Sequence, residues 1–185
     1  EPDGEMIVRG ILDKCGPEVS IFGGMAGFIP DEVGRRDTFV FTKGEESNFG
    51  IIVVALDGDK IATHGMASCG WKAAGTTKTV TKSEGCWVQT IDNQPALDLI
   101  MKFMGIDPQD WAEEFAPLLE MSFNYPMQVF RQDGSFIMRS LMAANWKERS
   151  FMCAGTVPQG SKIKFALPAE LDVIQTVIAE NEEAK

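Results

Sequence analysis

The chain is 185 residues long, 44% hydrophobic and 24% charged, which excludes global disorder and leaves length for one large domain or two small ones. Its formal net charge is −10 and Arg35-Arg36 is the only adjacent basic pair. This balance opposes non-specific binding to nucleic acid or anionic membrane, because phosphate affinity rests on clustered Lys and Arg.

No apolar run approaches the roughly 18 residues of a membrane span, and no signal-peptide pattern is present. A cytoplasmic location is the expectation. The first residue is Glu1 rather than Met, so an upstream piece is expected. Cys15, Cys69, Cys86 and Cys153 are widely spaced and form no CxxC, which predicts four free thiols rather than a zinc site.

In chain order, Glu5 to Lys14 sets Val8, Ile11 and Leu12 on one helical face, and Cys15-Gly16-Pro17 ends that helix. Val19-Ser20-Ile21-Phe22 predicts a short buried strand running into the small-residue loop Gly23-Gly24-Met25-Ala26-Gly27. Thr38 to Thr42 and Gly50 to Leu56 predict strands, and Asp57-Gly58 predicts a hairpin onto Lys60 to Gly65. Lys78 to Lys82 and Cys86 to Ile91 form a further predicted pair around Ser83-Glu84-Gly85.

Pro95 to Met104 predicts a helix with Pro at its first position and Gly105 just past its end. Asp107 is the expected N-cap of another, with Trp111 and Phe115 on one face and Pro117 at its end. Met127 to Arg131 and Phe136 to Met142 flank Asp133-Gly134, a second DG hairpin. Phe151 to Thr156 and Lys162 to Leu167 predict a third around Pro158-Gln159-Gly160. Pro168 opens a last helix carrying Leu171, Ile174, Val177 and Ile178 on one stripe. The fold class is α+β, mostly antiparallel hairpins with packed helices in a layered sandwich, and the one natural boundary lies near Gly105 to Pro108.

Few residues carry recognisable chemistry. Gly23-Gly24-Met25-Ala26-Gly27 follows a predicted strand, where glycine backbone can approach a ligand; it is not a P-loop, and a tight turn needing positive φ is an equal explanation. His64 is the only histidine, a candidate haem ligand or, more simply, a hydrogen-bonded strand residue. Cys69 lies five residues on, so in a strand it would face away from His64, and a structural thiol is the better reading. No HExxH, GxSxG, SxxK or kinase signature occurs, and Asp57-Asp59 and Glu113-Glu114 read as turn and solvent residues, so an enzyme is not expected. Trp71, Trp87, Trp111 and Trp146 are candidates for lining a cleft, though core packing is the commoner use of each.

The order of these elements resembles the FIST family, the two-part sensory domain of bacterial signalling proteins and of a eukaryotic F-box protein. Val19-Ser20-Ile21-Phe22-Gly23-Gly24-Met25-Ala26-Gly27 is similar to the family's strand and small-residue loop. Ile61 through Gly70-Trp71 and Gly75 to Val80-Thr81-Lys82 resembles its "GW…G…VTK" stretch. Val88-Gln89-Thr90-Ile91-Asp92-Asn93-Gln94-Pro95-Ala96-Leu97 resembles the segment "I-D-G-x-P-A-L", with Asn93 in place of the glycine. Tyr125-Pro126-Met127, Phe136 to Arg139, Phe151 to Gly155 and Val157 to Gly160 resemble the opening of its C-terminal part.

The resemblance implies that residues 1–105 are the C-terminal portion of a FIST N-like unit and 106–185 the N-terminal portion of a FIST C-like unit, a central fragment or truncated member. It implies sensing of a small-molecule ligand, amino acids or related metabolites, with output to a kinase, cyclase or chemoreceptor by a shift in conformational population. Haem-binding nitric-oxide sensors in the family would give His64 the role of haem ligand, and the F-box setting would make the domain a protein-recognition module. The expected ligand-binding residues are Gly23, Gly24, Met25, Trp71 and Arg139. Arg139 is the cation proposed for a ligand carboxylate, which its fork pairs bidentately, against the plainer reading of a salt bridge.

Overall fold

The computed structural model describes residues 3–27, 38–65, 67, 69–106 and 124–167, together with the single helical positions 174, 178, 179 and 182. The helix predicted from Asp107, with Trp111, Phe115 and Pro117, lies outside the described residues. So does most of the helix predicted from Pro168, including Leu171 and Val177; Ile174 and Ile178 are helical and exposed. The chain divides into two compact units, one of residues 6–67 and one built from 3–5 and the chain beyond 67.

Helix α1 runs Gly4–Cys15, its residues from Met6 on belonging to the first unit, with Glu5 in its first turn and Lys14 in its last, where each complements the helix dipole. Asp3 caps it by accepting the Glu5 N–H at 3.0 Å. Gly16, at φ +94°, ends it and donates to Leu12 O at 2.8 Å. Strands β1 (Val40–Thr42) and β2 (Glu45–Ser47) form an antiparallel ribbon that turns at Lys43-Gly44, with Gly44 at φ +96°.

Three predicted strands are not formed: 19–22, 50–56 and 60–65 are irregular. Asp57-Gly58 does turn, since Lys60 N–H donates to Asp57 O at 3.0 Å and Lys60 Nζ sits 2.8 Å from Asp57 Oδ2. The ladder that should follow is missing. Residues 50–56 have strong β propensity but no partner among the described residues, and propensity alone does not hold a strand without one. Ile51 to Leu56 are all exposed, Val54 by 78%.

The second unit is α+β and mostly antiparallel, as the pattern predicts. Its strands are β3 (Lys72–Glu84), β4 (Trp87–Ile91), β5 (Gln94–Pro95), β6 (Met127–Phe130), β7 (Phe136–Arg139), β8 (Leu141–Asn145), β9 (Ser150–Cys153) and β10 (Lys162–Leu167). The sheet order is β7-β6-β10-β3-β4-β9-β8, with β5 also paired to β4. The 13-residue β3 is the spine: its first part pairs β10 and its last part pairs β4. Strands β7 and β8 lie at opposite ends of this order, yet Ser140 alone joins them. One residue spans only about 3.5 Å, so the sheet curls until its two edges meet.

The third predicted hairpin does not form. Strand β9 pairs β4 and β8, whereas β10 pairs β3 and β6, so the two never touch as a ladder. The turn at Pro158-Gln159-Gly160 instead straps across β3: Gly160 N–H donates to Val80 O at 2.8 Å, Val80 N–H to Ser161 O at 3.0 Å, and Ser83 Oγ to Val157 O at 2.6 Å. The loop's backbone groups find partners on the neighbouring strand as well as across the turn, where Ser161 N–H donates to Pro158 O at 3.2 Å.

Helix α2 (Ala96–Phe103) lies on β4, β5 and β9 and buries Ala96, Leu97, Ile100 and Met101 completely. Pro95 is its N-cap rather than its first residue. A Pro cap offers no side-chain acceptor, and the Leu97 N–H is satisfied instead by Arg149 O at 3.0 Å. The helix ends in a Schellman motif: Gly105, at φ +78°, donates to Lys102 O, and Ile106 N–H donates to Met101 O at 2.9 Å. Phe151, Ile91, Met127, Leu141, Val80 and Ile163 complete the core. The division expected after residue 105 falls within this unit.

Candidate ligand-binding site

The residues expected to bind a ligand are distributed over both units. Gly23, Gly24 and Met25 lie in the irregular part of the first, exposed, with open space where a Cβ would stand on either glycine. Neither glycine has positive φ, so the tight-turn explanation does not account for them. His64 is exposed, as is every residue from 57 to 65. Nearby, the Phe22 ring occupies the place a Cβ on Gly65 would take. Cys69 is half-buried.

Trp71, 37% exposed, stands just before β3. Arg139, Met127, Phe165 and Ala74 stand side by side across β7, β6, β10 and β3, with Trp71 three residues before Ala74. Arg139 is 9% exposed, and its guanidinium is engaged from several sides. Nη2 donates to Glu5 Oε2 at 2.9 Å and Nε to Thr156 O at 3.1 Å. Arg131 adds a 3.6 Å contact to Glu5 Oε1. Beside it, Asp3 Oδ2 accepts from the Thr156 N–H at 3.1 Å and hydroxyl at 3.0 Å. Burial opposes ionisation of Asp3, but the bonds from Thr156 and Glu5, with Arg139 nearby, hold its carboxyl below the ordinary value. The cluster ties residues 3–5 to β7 and to the loop after β9, and it gives Arg139 a carboxylate partner within the chain.

A cleft of about 460 Å³ opens elsewhere on this unit, lined by Glu84, Trp87, Gln89, Asn145, Glu148 and Ser150. Two pairs of strands and one turn assemble it. Glu84 on β3 is the register partner of Trp87 on β4, and Asn145 on β8 is the partner of Ser150 on β9. Gln89 lies two residues beyond Trp87 and so shares its face. Glu148 comes from the β8–β9 turn, where its N–H donates to Asn145 Oδ1 at 3.1 Å, fixing both residues. Ser150 is 1% exposed.

Gln89 Oε1 is buried and has no hydrogen-bond partner among the described residues, an arrangement that costs about 1–3 kcal/mol. Among the described residues no basic side chain lines the cleft. Two carboxylates and an unpartnered amide oxygen supply hydrogen-bond acceptors beside an indole. Such a surface favours a cationic donor such as an ammonium group. Of these residues, sequence patterning singles out only Trp87, as one of four tryptophans fit to line a cleft. The rest converge through cross-strand register and carry no motif.

A curled antiparallel sheet with a helix on one side defines a mixed α+β, mostly β domain. The family model described as the FIST N domain matches residues 1–94, just over half of the chain, and the chain belongs to the FIST family of sensory domains of signal transduction proteins. No curated protein and no solved structure matches it significantly. Among the described residues no helix is long and apolar enough to cross a membrane, and no group of three or more His, Cys, Asp or Glu is placed to hold a metal ion.

Proposed function

We propose that this chain is a ligand-binding sensory domain whose ligand is a small amino-bearing metabolite, an amino acid or a relative of one. The observation that supports this most is that, among the described residues, the buried Gln89 Oε1 has no partner and the cleft lined by Glu84, Glu148 and Trp87 has no base. The ligand's ammonium group would take Gln89 Oε1 and a carboxylate as acceptors and lie against the indole. Binding would then pass to a kinase, cyclase or chemoreceptor partner by favouring one conformation over another. Residues 106–185 serve in this reading as a FIST C-like portion.

The test is a thermal-shift panel of amino acids, simple amines and simple carboxylates on the whole chain. Amino acids and amines are expected to raise the melting temperature, carboxylates are not, and the rise is expected to vanish in the Glu84→Gln/Glu148→Gln double variant. An equal response to carboxylates, or one untouched by the double variant, rules the cleft out.

A second reading, protein recognition, is favoured by the run Ile51 to Leu56, six consecutive exposed apolar residues. Its test is capture of signalling partners by the wild type and by a Val53→Asp/Val54→Asp variant. Equal capture by both would dismiss the run as a contact surface.

A further inference from the structure

Cys86 sits in the β3–β4 turn immediately before Trp87, and Cys153 closes β9. In the β4–β9 pairing Trp87 faces Met152 and Val88 faces Phe151. One further step in that register sets Cys86 opposite Cys153, and the Cys153 N–H indeed donates to Cys86 O at 2.8 Å. Directly opposed residues of an antiparallel pair project from the same face. In a hydrogen-bonded pair their Cα atoms lie roughly 5.5 Å apart. A disulfide spans Cα separations of roughly 4.4–6.8 Å, a range that includes this spacing.

Access is asymmetric. Cys86 is half-buried and reachable from solvent, whereas Cys153 is 2% exposed. An incoming reagent therefore meets Cys86 first. The proximity of the two thiols also shows in their electrostatics: burial, and to a lesser degree Cys86, push the Cys153 thiol up, while Arg139 opposes.

We propose that Cys86 and Cys153 form a reversible cross-strand disulfide, closed by thiol–disulfide exchange with a low-molecular-weight disulfide. The Cys86 thiolate attacks one sulfur of the reagent, forming a mixed disulfide and releasing one thiolate that takes up the proton Cys86 gave. The Cys153 thiolate then attacks the Cys86 sulfur, forming the intramolecular bond and expelling the second reagent thiol. The protein loses two protons and two electrons, and one reagent disulfide takes up both to become two thiols. The cross-link fastens the β3–β4 turn to β9 one residue away from Trp87, next to the cleft. It is independent of what the cleft binds.

The test treats the reduced whole chain with oxidised glutathione at mildly alkaline pH, followed by alkylation in denaturant and peptide mapping without reductant. Two of the four free thiols are expected to disappear, a Cys86–Cys153 linked peptide to form, and the intact mass to fall by two hydrogens. Dithiothreitol restores all four. Cys153→Ser is expected to stop at a stable glutathione adduct on Cys86. Should that variant not fold, Cys86→Ser serves instead and is expected to leave Cys153 as a free thiol. A wild-type chain that keeps glutathione on Cys86 while Cys153 stays alkylatable overturns the proposal. So does any linkage that joins Cys86 or Cys153 to Cys15 or Cys69, or a chain that remains fully reduced.

Discussion

Arg149 reaches from the β8–β9 turn to Asp98 in the first turn of helix α2, with Nε 2.6 Å and Nη2 2.5 Å from Asp98 Oδ1. The same residue's carbonyl accepts the Leu97 N–H, so both its backbone and its side chain hold the start of the helix. Arg149 does this from φ +54°, a left-handed conformation that a non-glycine residue adopts at some cost. Both side chains are about three-quarters buried, with 26% exposure each, so solvent screens the pair only in part.

Arg149→Ala is therefore expected to destabilise the chain by about 1–3 kcal/mol, since it removes charged hydrogen bonds and leaves the backbone conformation unrelieved. Arg149→Gly removes the same bonds but relaxes the positive φ, and should cost less. Chemical denaturation of both variants checks the ordering. Equal losses would mean the left-handed position carries no strain worth counting.

How far the sequence reveals this arrangement depends on how local each feature is. Helix α1 and its Gly16 stop, the β3–β4 and β6–β7 hairpins, and α2 with Gly105 beyond it are all set by neighbours in the chain, and all are legible. The pairing of β9 and β10 is not. Pro158-Gln159-Gly160 marks a turn, but nothing local says whether the strands beside it meet each other or separate partners. The same limit hides the cleft. Glu84, Gln89, Glu148 and Ser150 are unremarkable individually and become a site only through the registers of β3, β4, β8 and β9. In the opposite direction, the apolar run 50–56 has the composition of a buried strand, yet composition cannot supply the partner a strand needs.

Gly155→Ala is expected to be among the most damaging single changes in the sheet unit. Gly155 has φ +122°, and a Cβ there would meet Arg139 Cζ at 2.9 Å and Nε at 3.0 Å. The guanidinium has little freedom to retreat, because Glu5 and Thr156 O hold it. Strain and a displaced ion pair together should cost more than about 2 kcal/mol. A melting temperature equal to wild type would show that Arg139 has another place to go.

Acid stability should depend on Asp3. Its carboxyl is held below the ordinary value of 3.8, so the folded state releases this proton more readily than the unfolded chain does. The stabilisation is present above the unfolded value and is lost as pH falls through the folded one. Asp3→Asn is expected to lower stability at neutral pH and to flatten the fall in stability below about pH 4. Denaturation curves at several acidic pH values report this. An unchanged acid slope in the variant would place the sensitivity in other carboxylates.

Alkaline stability should depend on Cys153. Burial pushes its thiol up to about 12, against an ordinary value of 9.0, with Arg139 pulling down and Cys86 pushing up to smaller extents. The folded state thus holds this proton more tightly than the unfolded chain. Its stabilisation is complete below the unfolded value and declines as pH rises towards the folded one. Reduced wild-type protein should therefore lose stability between about pH 9 and pH 12 more steeply than Cys153→Ala, whose cavity lowers stability by a similar amount at every pH. The comparison needs the reduced protein, because a disulfide to Cys86 removes the titrating proton altogether. Parallel stability curves for the two proteins would mean that the Cys153 thiol is not held neutral by its surroundings.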